Sequence, residues 1–577
     1  MSKRSLSPQI LPPAKRPHTT HPNPPQQRTS IVDALYDELI LYIFSYLSWV
    51  DLCVAQVINR NWARLAVDNE LWRKQYLLVF EKPRLRGARG PAARFDSREI
   101  KPLPTRARVH DSAYRDWKWM FRISSNWRKG RCSVEMLPCS SQLPSNPNSF
   151  NNFSRHLLVT NSLIITAPAR PSCGPIIYVT GPTESCFVVC RPNDAISCRI
   201  TSLVNDQSAL ALGDCRIITF LSNGEFICYR FRHNPLSATL QFRSAAPRSR
   251  LSPVTQAVYH HPLLVTLSRD FTLALYNLES NTANHTQTLS SFTSFPPVSL
   301  VLSTPSPSTY KLVLAYAIPV YPQHWTAGAT ELMISGTTMT VDSVPGPTSQ
   351  DTSLSFVNPS TSQKLTVHST RTARAVDVPF GWVDERKLRI MREQWSRKVN
   401  RVADIQTDGK WVILSSGDQL TGLENRLASP GSAFNPSCPA PLPETDDSDA
   451  SEMSSFTPSL HSPTSLQLYR LILPVHTSVS SSPPRLVFMR SLHGQTGPVT
   501  SLSLSDGRCV SLSLNGSVWV WDLEAGTGAE VAAAGLSSMD GLVLGPNAEI
   551  IKGSVSFDER RLIIAQSDNV VVRRFDM

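Results

Sequence analysis

LHGQTGPVTSLSLSDGRCVSLSLNGSVWVWDLEAG, residues Leu492 to Gly526, holds three short apolar runs separated by two turn dipeptides. Val499, Leu502 and Leu504 mark the first run, Val510, Leu512 and Leu514 the second, and Val518 to Trp521 the third. Alternation of apolar and small polar residues is the period of a strand, because successive side chains leave opposite faces of the backbone. Asp506-Gly507 and Asn515-Gly516 supply the residues that tight hairpin turns favour. The stretch predicts three antiparallel strands that end in Trp521-Asp522.

The same register recurs along the chain. Asn515 stands six residues before Trp521, as Asn223 does before Tyr229, Asp270 before Tyr276 and Asn569 before Phe575. Fainter β-rich stretches run around Leu157 to Val189, Leu300 to Val320 and Trp411 to Leu423. Three antiparallel strands closed by Trp-Asp sign one propeller blade, and blades of about 40–45 residues give about seven of them. An all-β propeller is therefore expected over residues 127–577, which leaves room for inserts. Ser429 to Ser465 is one such low-complexity insert, and a second begins at Val344-Pro345-Gly346 and runs to about Ser369, both expected to be disordered. Asp384 to Lys398 carries helical charge pairs and predicts a helix on an excursion between strands.

Composition agrees with this division. There are 45 prolines, roughly 8% of the chain against a usual value of about 5%. That disfavours long helices. A formal charge of +12 can attract nucleic acid or acidic partners, or can simply solvate the surface. The eleven cysteines form no Cys-x-x-Cys pair; Cys186 and Cys190 are the nearest, without histidines at zinc spacing. Small buried thiols are the expected reading. The N-terminus lacks the apolar stretch of a signal peptide, and no run of about 18 apolar residues suggests a membrane span. A nuclear or cytoplasmic location follows as an expectation. Pro12 to Pro17, PPAKRP, with Lys3 and Arg4 upstream, is a candidate import signal.

Ahead of the β-rich region lies LYDELILYIFSYLSWVDLCVAQVINRNWARLAVDNELWRKQY, Leu35 to Tyr76. Leu35, Leu39, Ile43 and Leu47 recur every four residues, with Ile40 and Phe44 beside them, which makes one broad apolar helix face. Asp51 is placed to cap a second helix, Leu52 to Ile58, and further short helices carry Trp62, Leu65, Ala66, Leu71 and Trp72. So small a module buries little of its own surface, so its first helix is expected to find a partner. Residues 1–30 read as a disordered basic, Pro-rich tail and 81–126 as a basic linker with a short aromatic helix. The fold class is thus α+β and multidomain, a small all-α module followed by the all-β propeller.

Leu35, Glu38, Leu39, Ile43, Phe44, Leu47, Asp51, Leu52, Val57, Trp62, Leu71 and Trp72 match the pattern of the F-box, which the module (residues 31–80) resembles; Tyr36 stands where proline is usual. The repeats resemble WD repeats, with Trp521-Asp522 as the clean dipeptide and Phe575-Asp576 a second. Gln495 replaces the usual histidine and Asn515 the usual aspartate, so the family's buried hydrogen-bond set is expected to be rewritten. The order of the two modules resembles F-box/WD-repeat proteins.

That resemblance implies the substrate receptor of an SCF-type cullin-RING ubiquitin ligase. Leu35, Tyr36, Leu39, Ile40, Ile43, Phe44 and Leu47 would bind a Skp-type adaptor, and the propeller would hold the protein substrate, phosphorylated or not. Arg216, Arg269 and Arg508, near predicted turns, are candidates for that contact, since guanidinium pairs with phosphate in a bidentate manner. The residues themselves show no Gly-rich phosphate loop, metal spacing or nucleophile elbow, so neither an enzyme nor a cofactor is expected. Asp404, Asp408, His260 and His261 read as isolated polar residues in loops. Two alternatives stay open: an adaptor-binding scaffold outside the ligase, and a nucleic-acid-associated propeller using the basic linker. The acidic Glu444 to Glu452, with Thr457-Pro458 and Ser462-Pro463 nearby, is a candidate phosphoregulated segment.

Overall fold

The computed structural model describes residues 35–81, 116–137 and 154–577, apart from 161–162, 193–196, 209–213, 234, 245–251, 280–281, 307, 321–322, 338–363, 379–380, 418–463, 474–482, 534–552 and 567–568. The expected tail, its import signal, most of the linker, and the acidic segment with its Thr-Pro and Ser-Pro sites lie outside the described residues. The chain divides into a unit ending at Leu77 and a second from Leu78 onward.

The first unit is helical: α1 Asp37–Phe44, α2 Trp49–Ile58, α3 Arg60–Leu65 and α4 Asn69–Tyr76. Each of the last three begins at a side-chain cap. Ser48, not Asp51, caps α2. Its Oγ accepts the Asp51 backbone N–H at 3.3 Å, and Asp51 returns the bond to the Ser48 N–H at 3.4 Å. The cap lies three residues ahead of the one expected because Ser48-x-x-Asp51 forms a reciprocal capping box. Asn59 accepts from Trp62 N at 2.8 Å, and Asp68 from Glu70 N at 3.0 Å. Ile40, Phe44, Leu52, Ala55, Leu65, Leu71 and Trp72 fill the interior, with Phe44 edge-on to Trp62 at 5.4 Å. Gln75 Nε2 donates to Leu47 O at 2.7 Å, which fixes α4 against the end of α1.

The second unit is a seven-bladed propeller of four-stranded antiparallel sheets. From the inner strand a to the outer strand d, consecutive strands of one blade pair in order. The inner strands are Arg155–Thr160, Ile200–Asn205, Val254–His260, Phe295–Ser306, Val402–Thr407, Val499–Ser505 and Ser554–Phe557, blades 1 to 7 in turn. Each neighbours the next, and the seventh neighbours the first, so the ring closes. Because strands alternate in direction, the a–b turns crowd one face of the ring and the b–c turns and d–a connections the other. Second strands such as Trp411–Ser416 and Leu163–Pro168 are buried almost end to end, since adjacent blades cover both of their surfaces. All four recurring turn–aromatic units lie at strand c of a blade, in blades 2, 3, 6 and 7: Tyr229, Tyr276 and Trp521 are within it, and Phe575 directly follows it.

Closure depends on residues before blade 1. Ser133–Leu137 adds the outer strand of blade 7, in register from Ser133 against Arg574 to Leu137 against Val570. The helix α5, Trp117–Lys129, belongs to the same body. Its Trp127 stacks on Phe575 at 3.6 Å and donates Nε1–H to Glu559 O at 2.8 Å, while Asn126 donates to Phe575 O. The propeller body thus includes residues 117–126, ahead of the boundary at 127 read from the sequence. Gly130 ends α5 with φ +67°, and a Cβ there would meet Glu530 O at 2.4 Å.

Polar side chains on the inner strands stitch blade to blade. His156 Nε2 lies 3.0 Å from Ile200 O, Gln256 Nε2 donates to Val298 O, and Ser299 Oγ donates to Gln406 Oε1 at 3.1 Å. Asp404 accepts from Leu502 N at 2.7 Å, and Ser554 Oγ donates to Arg155 O at 2.9 Å across the seam between blades 7 and 1. The second low-complexity stretch is shorter than its sequence suggests: Lys364–Arg374 is the outer strand of blade 4, paired with His324–Thr337. Ser465, assigned to the first insert, is buried beside strand Leu466–Ile472. The excursion helix is present as α6, Glu385–Trp395, on the d–a connection from blade 4 to blade 5.

Candidate functional site

The apolar face expected on α1 is divided by the fold. Ile40 and Phe44 are 3% and 2% exposed and belong to the interior of the helical unit, so the expectation that they await a partner is corrected. They lie at i and i+4, the spacing that turns them together onto Trp62 and the following helices. Leu35 and Leu47 are half-buried. Tyr36, Leu39 (50% exposed) and Ile43 (51% exposed) remain open, and Tyr42 and Tyr46 extend the open side, their rings 5.2 Å apart.

A second open stripe escaped the sequence reading. On α2, Val50, Val54, Val57 and Ile58 stand at i, i+4, i+7 and i+8, and all four are exposed, Val57 at 85%. Leu52 and Ala55 take the inward side. The signal was available: α2 is apolar nearly all round, and a unit this small cannot cover both sides of it. Asp37 at the start of α1 is ion-paired with Arg64 of α3, which holds its carboxyl below the usual range and braces α1 against α3.

On the propeller, two of the three candidate arginines are engaged internally. Arg216 Nε pairs with the buried Asp206 Oδ2 at 3.2 Å. Arg508 lies over the Trp127 ring at 4.5 Å. Both start b strands on the a–b face. Arg269 is exposed, on the b–c turn of blade 3, at the opposite face.

The four polar residues expected in loops are not isolated. Asp404 and His260 lie in inner strands. Asp408 is fully buried at the a–b turn of blade 5. Its Oδ1 accepts from Lys410 N and Trp411 N, and its Oδ2 accepts from Gly507 N of blade 6 at 3.0 Å. Burial raises the carboxyl against the pull of those N–H groups. Asp206 performs the same task from blade 2, accepting from Ser208 N and from His261 N of blade 3 at 3.1 Å. Burial, with Arg216 nearby, holds the His261 imidazole below its usual range. These carboxylates satisfy backbone donors at blade junctions, which is an architectural role.

Blade 6 shows how the substituted WD set works. Trp521 Nε1 donates to Ser511 Oγ at 2.9 Å, Ser511 Oγ donates to Gln495 Oε1 at 2.7 Å, and Gln495 Nε2 donates to Ser513 Oγ. Ser513 Oγ ends the chain on Gly497 O at 3.1 Å. Gln495 relays a donor and an acceptor without a charge, so no buried aspartate is needed to balance it. Asn515 instead receives Ser517 N at 3.1 Å and shapes the turn.

Cys53 and Cys173 are exposed, contrary to the expectation of buried thiols, whereas Cys190, Cys198, Cys215, Cys228 and Cys509 are buried. Burial pushes Cys190 up to about 11 and Cys228 up to about 12. Among the described residues no group of three or more His, Cys, Asp or Glu is placed to hold a metal ion.

Comparison with known proteins bears on both units. A model described as F-box-like matches residues 35–78, and one described as the F-box protein pof12 beta-propeller matches residues 185–391. F-box/LRR-repeat protein 5 of Xenopus laevis is 30% identical over 16% of this chain and 13% of its own. The probable E3 ubiquitin ligase complex SCF subunit sconB of Arthroderma benhamiae is 28% identical over 18% of each chain. An F-box protein of Saccharomyces cerevisiae is 28% identical over 19% of this chain and 18% of its own. The chain therefore spans less than a fifth of the length of these relatives. Helical front and β ring together define the class, an F-box domain joined to a propeller. This chain joins a helical domain that an F-box-like model matches to a seven-bladed propeller, part of which matches the propeller of an F-box protein.

Proposed function

We propose that the chain is a substrate receptor of an SCF-type ubiquitin ligase, non-catalytic itself. Its helical unit binds a Skp-type adaptor, and its propeller holds the protein to be modified. The observation that carries this reading is the open apolar surface of the helical unit. Leu39 and Ile43 on α1, with Val50, Val54, Val57 and Ile58 on α2, stay in solvent although α2, α3 and α4 are capped and Ile40, Phe44, Leu52 and Ala55 are buried. Contiguous exposed apolar side chains mark interaction sites, and a standard interface needs about 800 Å² from each partner. The sconB relative, named as an SCF subunit, supports the choice of partner. The receptor then accelerates transfer by holding substrate at high effective concentration, with no bond chemistry of its own.

The test is co-purification with a Skp-type adaptor and its cullin. Leu39→Asp with Ile43→Asp should abolish capture of both while leaving the circular dichroism spectrum and melting temperature unchanged. Undiminished capture would refute the adaptor face. Capture of adaptor without cullin would place the protein outside the ligase.

A further inference from the structure

We propose that the b–c/d–a face of the propeller carries, around α6, a binding site for an acidic peptide segment with apolar side chains. This deepens the receptor reading and rests on it. Helix α6 is firmly seated yet nearly all exposed. Of its eleven residues only Met391 is buried. Its C-terminal end is tied down: Gln394 exchanges bonds with Asp377 (2.9 and 3.1 Å), Trp395 Nε1 donates to Asp377 O, and Arg397 covers the Phe488 ring at 4.1 Å. The outward side is unused. Arg386, Lys387, Arg389 and Arg392 are exposed, and none has an ion-pair partner among the described residues.

Apolar groups sit among these cations. Ile390, one turn beyond Arg386 and Lys387, is 54% exposed, and Trp382, just before the helix, is 92% exposed. Val378 is open as well. The chain leaving α6 is bonded to blade 4. Trp325 bridges Val399, which follows α6, by backbone bonds of 2.7 and 3.0 Å, and its ring meets Phe295 at 5.4 Å. Phe292, on the connection that leads into the strand beginning at Phe295, is 89% exposed.

Charge complementarity selects the occupant. Four exposed cations without an ion pair among the described residues call for carboxylates, and the open Trp, Phe and Ile call for apolar side chains between them. Asp384, Glu385 and Glu393 interrupt the basic run, which disfavours a continuous phosphate backbone. The same acidic residues disfavour an anionic bilayer surface.

Fluorescence anisotropy of a fluorescein-labelled peptide of Asp, Glu, Leu and Phe, titrated with the full chain, tests this. Trp382→Ala with Ile390→Ala, and separately Arg386→Glu with Arg389→Glu, should each weaken binding by on the order of tenfold. Added salt should weaken the wild type more than the charge variant. All four positions are exposed, so folding is spared. Wild-type affinity in both variants overturns the proposal, as does binding of oligo-dT or phosphatidylserine vesicles in place of the peptide. Adaptor capture through α1 is scored on the same preparations. Absence of peptide binding by the wild type with adaptor capture intact defeats the inference alone, whereas capture lost with peptide binding intact defeats the receptor reading.

Discussion

Trp127 is the residue on which most of the ring closure converges. It stacks on Phe575, meets Phe557 at 6.0 Å, lies under Arg508 and hydrogen-bonds Glu559 O. Trp127→Ala is expected to cost about 3–5 kcal/mol, read by denaturant unfolding. Trp127→Phe should cost less, because it keeps the stack and loses the bond. Gly130→Ala should also destabilise, through both its positive φ and the clash with Glu530 O. His156 offers a pH test. Burial and Arg199 depress its imidazole against the pull of the Ile200 carbonyl, so folding favours its neutral form. A depressed histidine contributes stability that is fully present above its unfolded value of 6.5 and is lost as pH falls below it. The melting temperature should drop between about pH 7.5 and 5.5, on either side of that value, and His156→Gln should shrink the drop. Thiol alkylation of the folded protein should mark Cys53 and Cys173 and spare Cys190 and Cys228, whose raised values leave little thiolate at neutral pH.

At the scale of the element, α1 and α2 each have an inward and an outward apolar side. The sequence shows that α1 is apolar over a wide arc, but periodicity cannot say where on the arc the neighbour sits. Trp62 on α3 decides it, drawing Phe44 inward and leaving Ile43 out. Phe44→Asp and Ile43→Asp, adjacent in sequence, should therefore behave differently. The first should unfold the helical unit, seen as lost helicity. The second should leave helicity intact and weaken adaptor capture. Strand c of blades 2, 3, 6 and 7 was legible because a turn residue and an aromatic stand at a fixed offset. Helix α6 was legible from its charge pairs, whereas its unused basic side emerged only once its buried contacts were known.

At the scale of the whole molecule, a propeller must join its last blade to its first. Here Ser133–Leu137 does so, and a chain beginning at residue 138 would leave Asn569–Arg574 as a bare edge and remove α5. Such a truncation should speed hydrogen exchange in Asn569–Arg574 and Arg561–Gln566 while blades 2 to 4 keep their protection.

Local pattern alone determined the division into a helical front and a β ring, the approximate blade number, and the apolar character of the front. Those properties repeat at short spacing, where side-chain period and turn chemistry act. The tertiary structure decided which apolar residues are left in solvent, which arginines are consumed at blade junctions, and which segment closes the ring. Each of these depends on contacts between residues far apart in the chain, Trp127 with Phe575 or Asp206 with His261, and no local spacing encodes such pairs.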